Sequence, residues 1–171
     1  MIDPRFPPPK VDVIFADPQW VASRVGARAL IKNAIATAWE NMPRRPPNLQ
    51  MELCVTLTND AEIRTLNHAH RDKDKATNVL SFPDWDHYSH IPVMGDHVPI
   101  GDIFVSFETI RDEAHAQEKK LRDHLTHLTI HGFLHLLGYD HIEEKDAEAM
   151  EALEVKILKK LGIKNPYFEK L

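Results

Sequence analysis

The sequence predicts an α+β fold, a small mixed four-stranded sheet packed with helices, and three observations carry that expectation. Short segments at 11–16, 51–58, 78–82 and 100–107 have strand character, and the first two alternate apolar with polar side chains. Ile31, Ala34, Ile35, Ala38 and Trp39 recur at helical spacing between the first two strands. The last third of the chain holds three helical segments, at about 108–120, 122–137 and 143–161.

In chain order, residues 1–10 are proline-rich and read as an N-terminal arm, leaving 11–171 as one domain. Val11, Val13 and Phe15 share one side of the first strand. Asp17 then offers an N-cap with Pro18 at the first helical position, and the helical pattern runs on to stop before Pro43. Residues 44–48 are a turn-rich connector into the strand 51–58. Asn59 and Glu62 resemble a capping box that opens a helix through Ile63 and Leu66. Pro83 stops the third strand. Residues 84–98 have Pro92, several histidines and no periodicity, the pattern of an exposed, variable loop. In the last helix Met150, Leu153, Ile157, Leu158 and Leu161 form the face expected to be buried.

At 171 residues, 43% hydrophobic and 27% charged, the composition is that of an ordinary globular domain. The opening residues lack the apolar run of a signal peptide, and no stretch approaches the roughly 18 apolar residues a membrane span requires. Cys54 is the sole cysteine, so no disulfide forms within the chain, and a cytoplasmic location is expected. The net charge of −5 confines any nucleic-acid contact to local basic patches. Two candidates are Arg71, Lys73 and Lys75, and then Lys119, Lys120 and Arg122; the plainer alternative for each is solvated surface charge.

The chemistry concentrates in the run His131-Gly132-Phe133-Leu134-His135-Leu136-Leu137-Gly138-Tyr139-Asp140-His141. Residues four apart on a helix lie about 40° from each other, so His131 and His135 face one ion together. A continuing helix would turn His141 about 240° from His135, so the chain must leave the helix, and Gly138 stands where a left-handed exit is needed. Three neutral imidazoles leave a divalent ion, zinc above all, its full charge and an open position. Such an ion acidifies a coordinated water toward a pKa of about 7 and favours an anionic substrate such as a phosphodiester. The spacing is that of the metzincin peptidases and gives the fold a zincin-like metal-binding helix. Those peptidases, however, carry a glutamate base where this chain has Gly132. His127, one turn earlier, is expected behind the ligands or at the core edge. His124, His115, His87, His90 and His97 are expected at the surface.

The run 131–144 (HGFLHLLGYDHIEE) and the segment 66–83 (LNHAHRDKDKATNVLSFP) resemble the signatures of the YbeY endoribonucleases. Gly101-Asp102-Ile103 and Met150-Glu151 match as well, so the resemblance spans about residues 50–165. It implies a single-strand-specific, metal-dependent endoribonuclease that acts in 16S rRNA 3′-end maturation, ribosome quality control and RNA turnover. The implied partners are single-stranded RNA and rRNA, the small ribosomal subunit and its assembly factors, with no membrane. The family's ligands to one zinc ion fall on His131, His135 and His141, and its functional arginine on Arg71. A guanidinium can grip phosphate oxygens with paired donors; the alternative for Arg71 is a salt bridge to Glu62, Asp72 or Asp74. Asn78 stands where the family more often has aspartate. Two other functions remain open at this stage. One is a ribosome-associated RNA-binding factor with a mainly structural zinc, the other a degenerate metzincin-like peptidase.

Overall fold

The computed structural model describes residues 2–93 and 97–167. Before the first strand, Asn48 N donates to Arg5 O (2.6 Å) and the Gln50 amide to Pro8 O (3.0 Å), tying the chain start to the connector that enters the second strand. Strand β1 (Lys10–Phe15) leads to α1 (Gln19–Ala22) and α2 (Ala27–Glu40), and β2 (Met51–Thr58) to α3 (Asp60–Arg71). Strands β3 (Val79–Pro83) and β4 (Val98–Ser106) precede α4 (Phe107–Ala116), α5 (Leu121–Leu136) and α6 (Glu144–Lys160).

The sheet order is β1-β2-β4-β3, with β1, β2 and β4 parallel and β3 antiparallel on the far edge of β4. This is the expected mixed four-stranded α+β arrangement. In β2 the side chains alternate, Met51, Leu53, Val55 and Leu57 being buried and those between them half-exposed. One face of the sheet is therefore covered, by α2 and α5. Val13, Val55, Ile103 and Ser81 stand in register across it. Phe133, Leu134 and Ile130 of α5 and Ile31, Ile35 and Trp39 of α2 are fully buried in that core. Because α5 is covered on most sides, its apolar residues are not confined to one stripe. Among the described residues no helix is long and apolar enough to cross a membrane.

Two expectations change. The helical pattern before Pro43 is broken at Arg24 (φ 56°) and Gly26 (φ 68°), both left-handed, giving two helices. Asp17 does cap the first, accepting from Gln19 N at 2.8 Å, and Trp20 pins it to the sheet by donating from Nε1 to Thr58 O at 2.9 Å. Segment 84–98 is not uniformly an exposed loop. It holds a 3-10 turn (Tyr88–His90), Tyr88 and Ile91 are buried, and Val98 already belongs to β4, while residues 94–96 lie outside the described chain. Two apolar anchors suffice to seat the turn, too few to leave a periodic signal. Tyr88 N donates to Leu137 O (3.1 Å), so the turn closes on the end of α5.

Candidate metal centre

Helix α5 ends in a Schellman motif: Gly138 N donates to His135 O (3.0 Å) and Tyr139 N to Leu134 O (3.0 Å), with Gly138 at φ 98°. A side chain there would strike backbone as well, since a Cβ would lie 2.7 Å from Asp86 O and 2.9 Å from His87 Cα. This turn reverses the chain, and Asp140 Oδ1 accepts from His141 N at 2.7 Å. The His141 ring then lies 5.4 Å from that of His131 and 4.9 Å from that of His135, centroid to centroid. One nitrogen from each ring falls within 4.8 Å of the others, the one three-residue metal-ligating group among the described residues.

Hydrogen bonds on the outer sides of two rings set the inner ones. His131 Nδ1 lies 2.6 Å from Glu154 Oε1, and His135 Nδ1 lies 2.9 Å from the Tyr139 carbonyl. Both partners are acceptors, so each Nδ1 donates outward and each Nε2 is turned toward the site. These two Nε2 atoms face each other at 3.1 Å. Two ring nitrogens so close share a cation between them, either a proton or a metal ion. The donor set fits a metal ion. Burial, reinforced by His131 and His141 nearby, pushes His135 down to about 4, keeping it neutral at neutral pH.

The sequence reading missed Glu154. This α6 carboxylate is fully buried, and its Oε2 accepts from His127 Nε2 (3.1 Å) and from the Tyr167 hydroxyl. Burial opposes its ionisation, but hydrogen bonds from His127 and His131 outweigh that and hold it at about 2. The available signal was a glutamate between Leu153 and Ile157 on the stripe read as buried. Of that stripe Met150, Leu153, Ile157 and Leu158 are buried and Leu161 is half-exposed. His127 stands behind the ligands, as its spacing indicated. His124 departs from expectation: it is buried at 4% exposure, because its helix face turns toward α4 and Glu113 rather than to solvent. His87 is only half-exposed, stacked on Tyr88, whereas His90, His97 and His115 are at the surface.

Arg71 ends α3 at the surface, its Nη2 donating to Ser81 O at 3.0 Å and its guanidinium 5.9 Å from the Phe82 ring centre. The Ser81 hydroxyl in turn donates to Gly132 O (3.2 Å), next to His131, so two hydrogen bonds link Arg71 to the ligand helix. Among the described residues Arg71 pairs with no carboxylate, Asp74 being engaged by Arg64 at 2.8 Å. Gly132 is buried against the sheet, where a Cβ would lie 3.1 Å from Ser81 Oγ and 3.2 Å from Ile103 Cγ2. Its contacts are those of close helix–sheet packing.

An α+β domain with three converging imidazoles, two of them oriented from behind by a carboxylate and a carbonyl, has the layout of a histidine metal centre. The family model for Endoribonuclease YbeY matches residues 19–162. Curated relatives named Endoribonuclease YbeY include one from Bradyrhizobium sp. strain BTAi1, 44% identical over 98% of this chain and 97% of its own. Another, from Rhizobium etli strain CIAT 652, is 45% identical over 80% of this chain and 79% of its own. The chain belongs to the Endoribonuclease YbeY family. Its fold is shared with the solution structure of TM1509 from Thermotoga maritima, at a TM-score of 0.51 and 23% identity over 90% of this chain and 88% of that one.

Proposed function

We propose that this protein is a zinc-dependent endoribonuclease that cuts single-stranded RNA, acting in 16S rRNA 3′-end maturation and ribosome quality control alongside the small ribosomal subunit and its assembly factors. The observation that carries this reading is the set of three converging histidines with no fourth protein ligand among the described residues. A closed structural zinc site has four protein ligands, whereas a catalytic one leaves a position free. When bound, the ion would supply Lewis acidity at a phosphodiester.

The chain's own groups do the rest. Glu154 and the Tyr139 carbonyl hold the His131 and His135 rings with Nε2 forward. Arg71 spends one donor on Ser81 O and keeps its remaining donors for a phosphate, where they would bind substrate and stabilise charge growing on the oxygens. A peptidase reading is disfavoured because Gly132, where the glutamate base would stand, is packed on β3 and β4.

The test assays one batch for metal content and for cleavage of matched single- and double-stranded RNAs, with and without chelator. Cleavage should favour the single strand, disappear with chelator, and fall by at least about a hundredfold, or about 3 kcal/mol, in His131→Ala and in Arg71→Ala. Undiminished cleavage by metal-free, nuclease-free His131→Ala would overturn the assignment.

A further inference from the structure

The basic cluster at 119–122 has no part in the metal centre, yet it borders two adjoining cavities of about 900 and 830 Å³ at the amino end of α5. The first is lined by Arg24, Lys120 and Arg122, and the second by Lys119, Lys120 and Lys164. Glu118 and Asp123 also line the pair, so cations predominate locally on a chain whose net charge is −5. Among the described residues none of these five cations is in an ion pair. No side chain caps the start of α5, so its first-turn amides add to the positive field.

A second, independent observation points to a ligand. His124 lines the second cavity, is 4% exposed, and neither ring nitrogen has a hydrogen-bond partner. Glu113 Oε2 stands 3.6 Å from its Nε2, within ion-pair range but beyond hydrogen-bond distance, and accepts from the Asn78 amide at 3.1 Å. A buried imidazole with unanswered nitrogens is costly to the fold. A ribose hydroxyl entering from the cavity would answer either nitrogen, and a phosphate oxygen would answer an N–H.

We propose that this groove is a second binding site for single-stranded RNA, gripping the phosphate backbone of nucleotides remote from the bond to be cut. The proposal rests on the reading of the protein as an RNA-cleaving enzyme and adds where a longer substrate is held. Lys120 and His135 are separated by about 22 Å along α5 at 1.5 Å per residue. At about 3.4 Å per stacked nucleotide, a strand reaching both ends needs about seven nucleotides or more. Short RNAs would touch the metal end alone.

The experiment uses the full chain and the double variant Lys120→Glu/Arg122→Glu, both positions being on the surface. Binding of oligouridylates of about 20 and about 4 nucleotides is followed by fluorescence anisotropy in chelator, so that no cleavage intervenes, across a salt series. Cleavage of both lengths is then measured with metal. The variant should bind the long RNA at least about tenfold more weakly at low salt, with a log–log salt slope shallower by about 1.4, or 0.7 for each cation removed. It should cleave the short RNA as the unaltered chain does.

Equal long-RNA binding by both proteins would overturn the proposal. So would displacement of the RNA by polyglutamate of equal length at equal concentration, which would assign the groove to an acidic protein, or by inorganic phosphate as readily, which would assign it to a small anion. If the unaltered chain binds long RNA through these residues yet cuts no RNA, the groove stands and the nuclease reading falls. If it cuts short RNA and the variant binds long RNA normally, the reverse holds.

Discussion

Glu154 has three donors around it, His131, His127 and Tyr167, and no contact with solvent. Replacing it by glutamine keeps the shape but removes the charge that fixes the His131 proton on Nδ1. In Glu154→Gln, zinc affinity should fall by about 10–100-fold, read by competition with a chromogenic chelator, while circular dichroism stays unchanged. Undiminished affinity would show that the carboxylate does not orient the ligand. The same variant separates two acid transitions of the metal-free chain. His135 is held at about 4, below its ordinary 6.5, by burial and by the neighbouring His131 and His141, so below pH 6.5 the unfolded chain binds a proton that the folded chain refuses. Stability from that group is therefore full above 6.5 and declines down to about 4. Despite its burial, Glu154 is held at about 2 by its hydrogen bonds, below its ordinary 4.5, and its contribution is lost between 4.5 and about 2. Only the lower transition should vanish in Glu154→Gln. The convergence of the three histidines was readable because helical spacing and a glycine exit are local properties. Glu154 was not, because a carboxylate on an apolar stripe gains meaning only once the facing helix and its histidines are known.

The joint between α5 and α6 is where element geometry governs the site. Gly138 meets two demands at once: its φ of 98° closes the Schellman motif, and its missing side chain admits the Asp86–His87 backbone. Gly138→Ala should lower stability by about 1–3 kcal/mol through the strained backbone. It should weaken zinc binding further, because His141 reaches the other ligands only through this turn. Thermal melts and zinc titrations on the same protein check both; a melting loss with unchanged zinc affinity would mean His141 is placed by other contacts. The glycine's role in ending the helix was legible in the sequence. The second demand was not, since nothing in the sequence placed residues 86–87 against it. Similarly, the break between α1 and α2 was hidden because Arg24, an ordinary residue, takes a left-handed conformation beside Gly26. His124 was misread for a related reason, as its cover comes from α4, whose packing on α5 the spacing of one helix does not reveal.

At the scale of the whole molecule, the centre joins parts that the sheet does not hold together. His131 and His135 belong to α5, His141 to the turn beyond it, and Glu154 to α6, while Tyr167 lies past the end of α6. The Nε2 atoms of His131 and His135 approach to 3.1 Å at the point where the chain reverses. A bound ion would join these nitrogens and tie His141 to the core helix, coupling binding to local folding. An ion that binds only the folded chain, at a free concentration a hundred times its dissociation constant, stabilises it by about 2.7 kcal/mol. For a chain of this length that is roughly 5–10 °C in melting temperature. Zinc should raise the melting temperature of the unaltered protein by that amount and leave His141→Ala nearly unmoved. Hydrogen exchange should show the gain concentrated in residues 131–154, with β1 and β2 little changed, because their packing with α2 is independent of the turn. A zinc-induced rise of equal size in His141→Ala, or protection spread evenly over the sheet, would mean that the ion acts elsewhere on the chain.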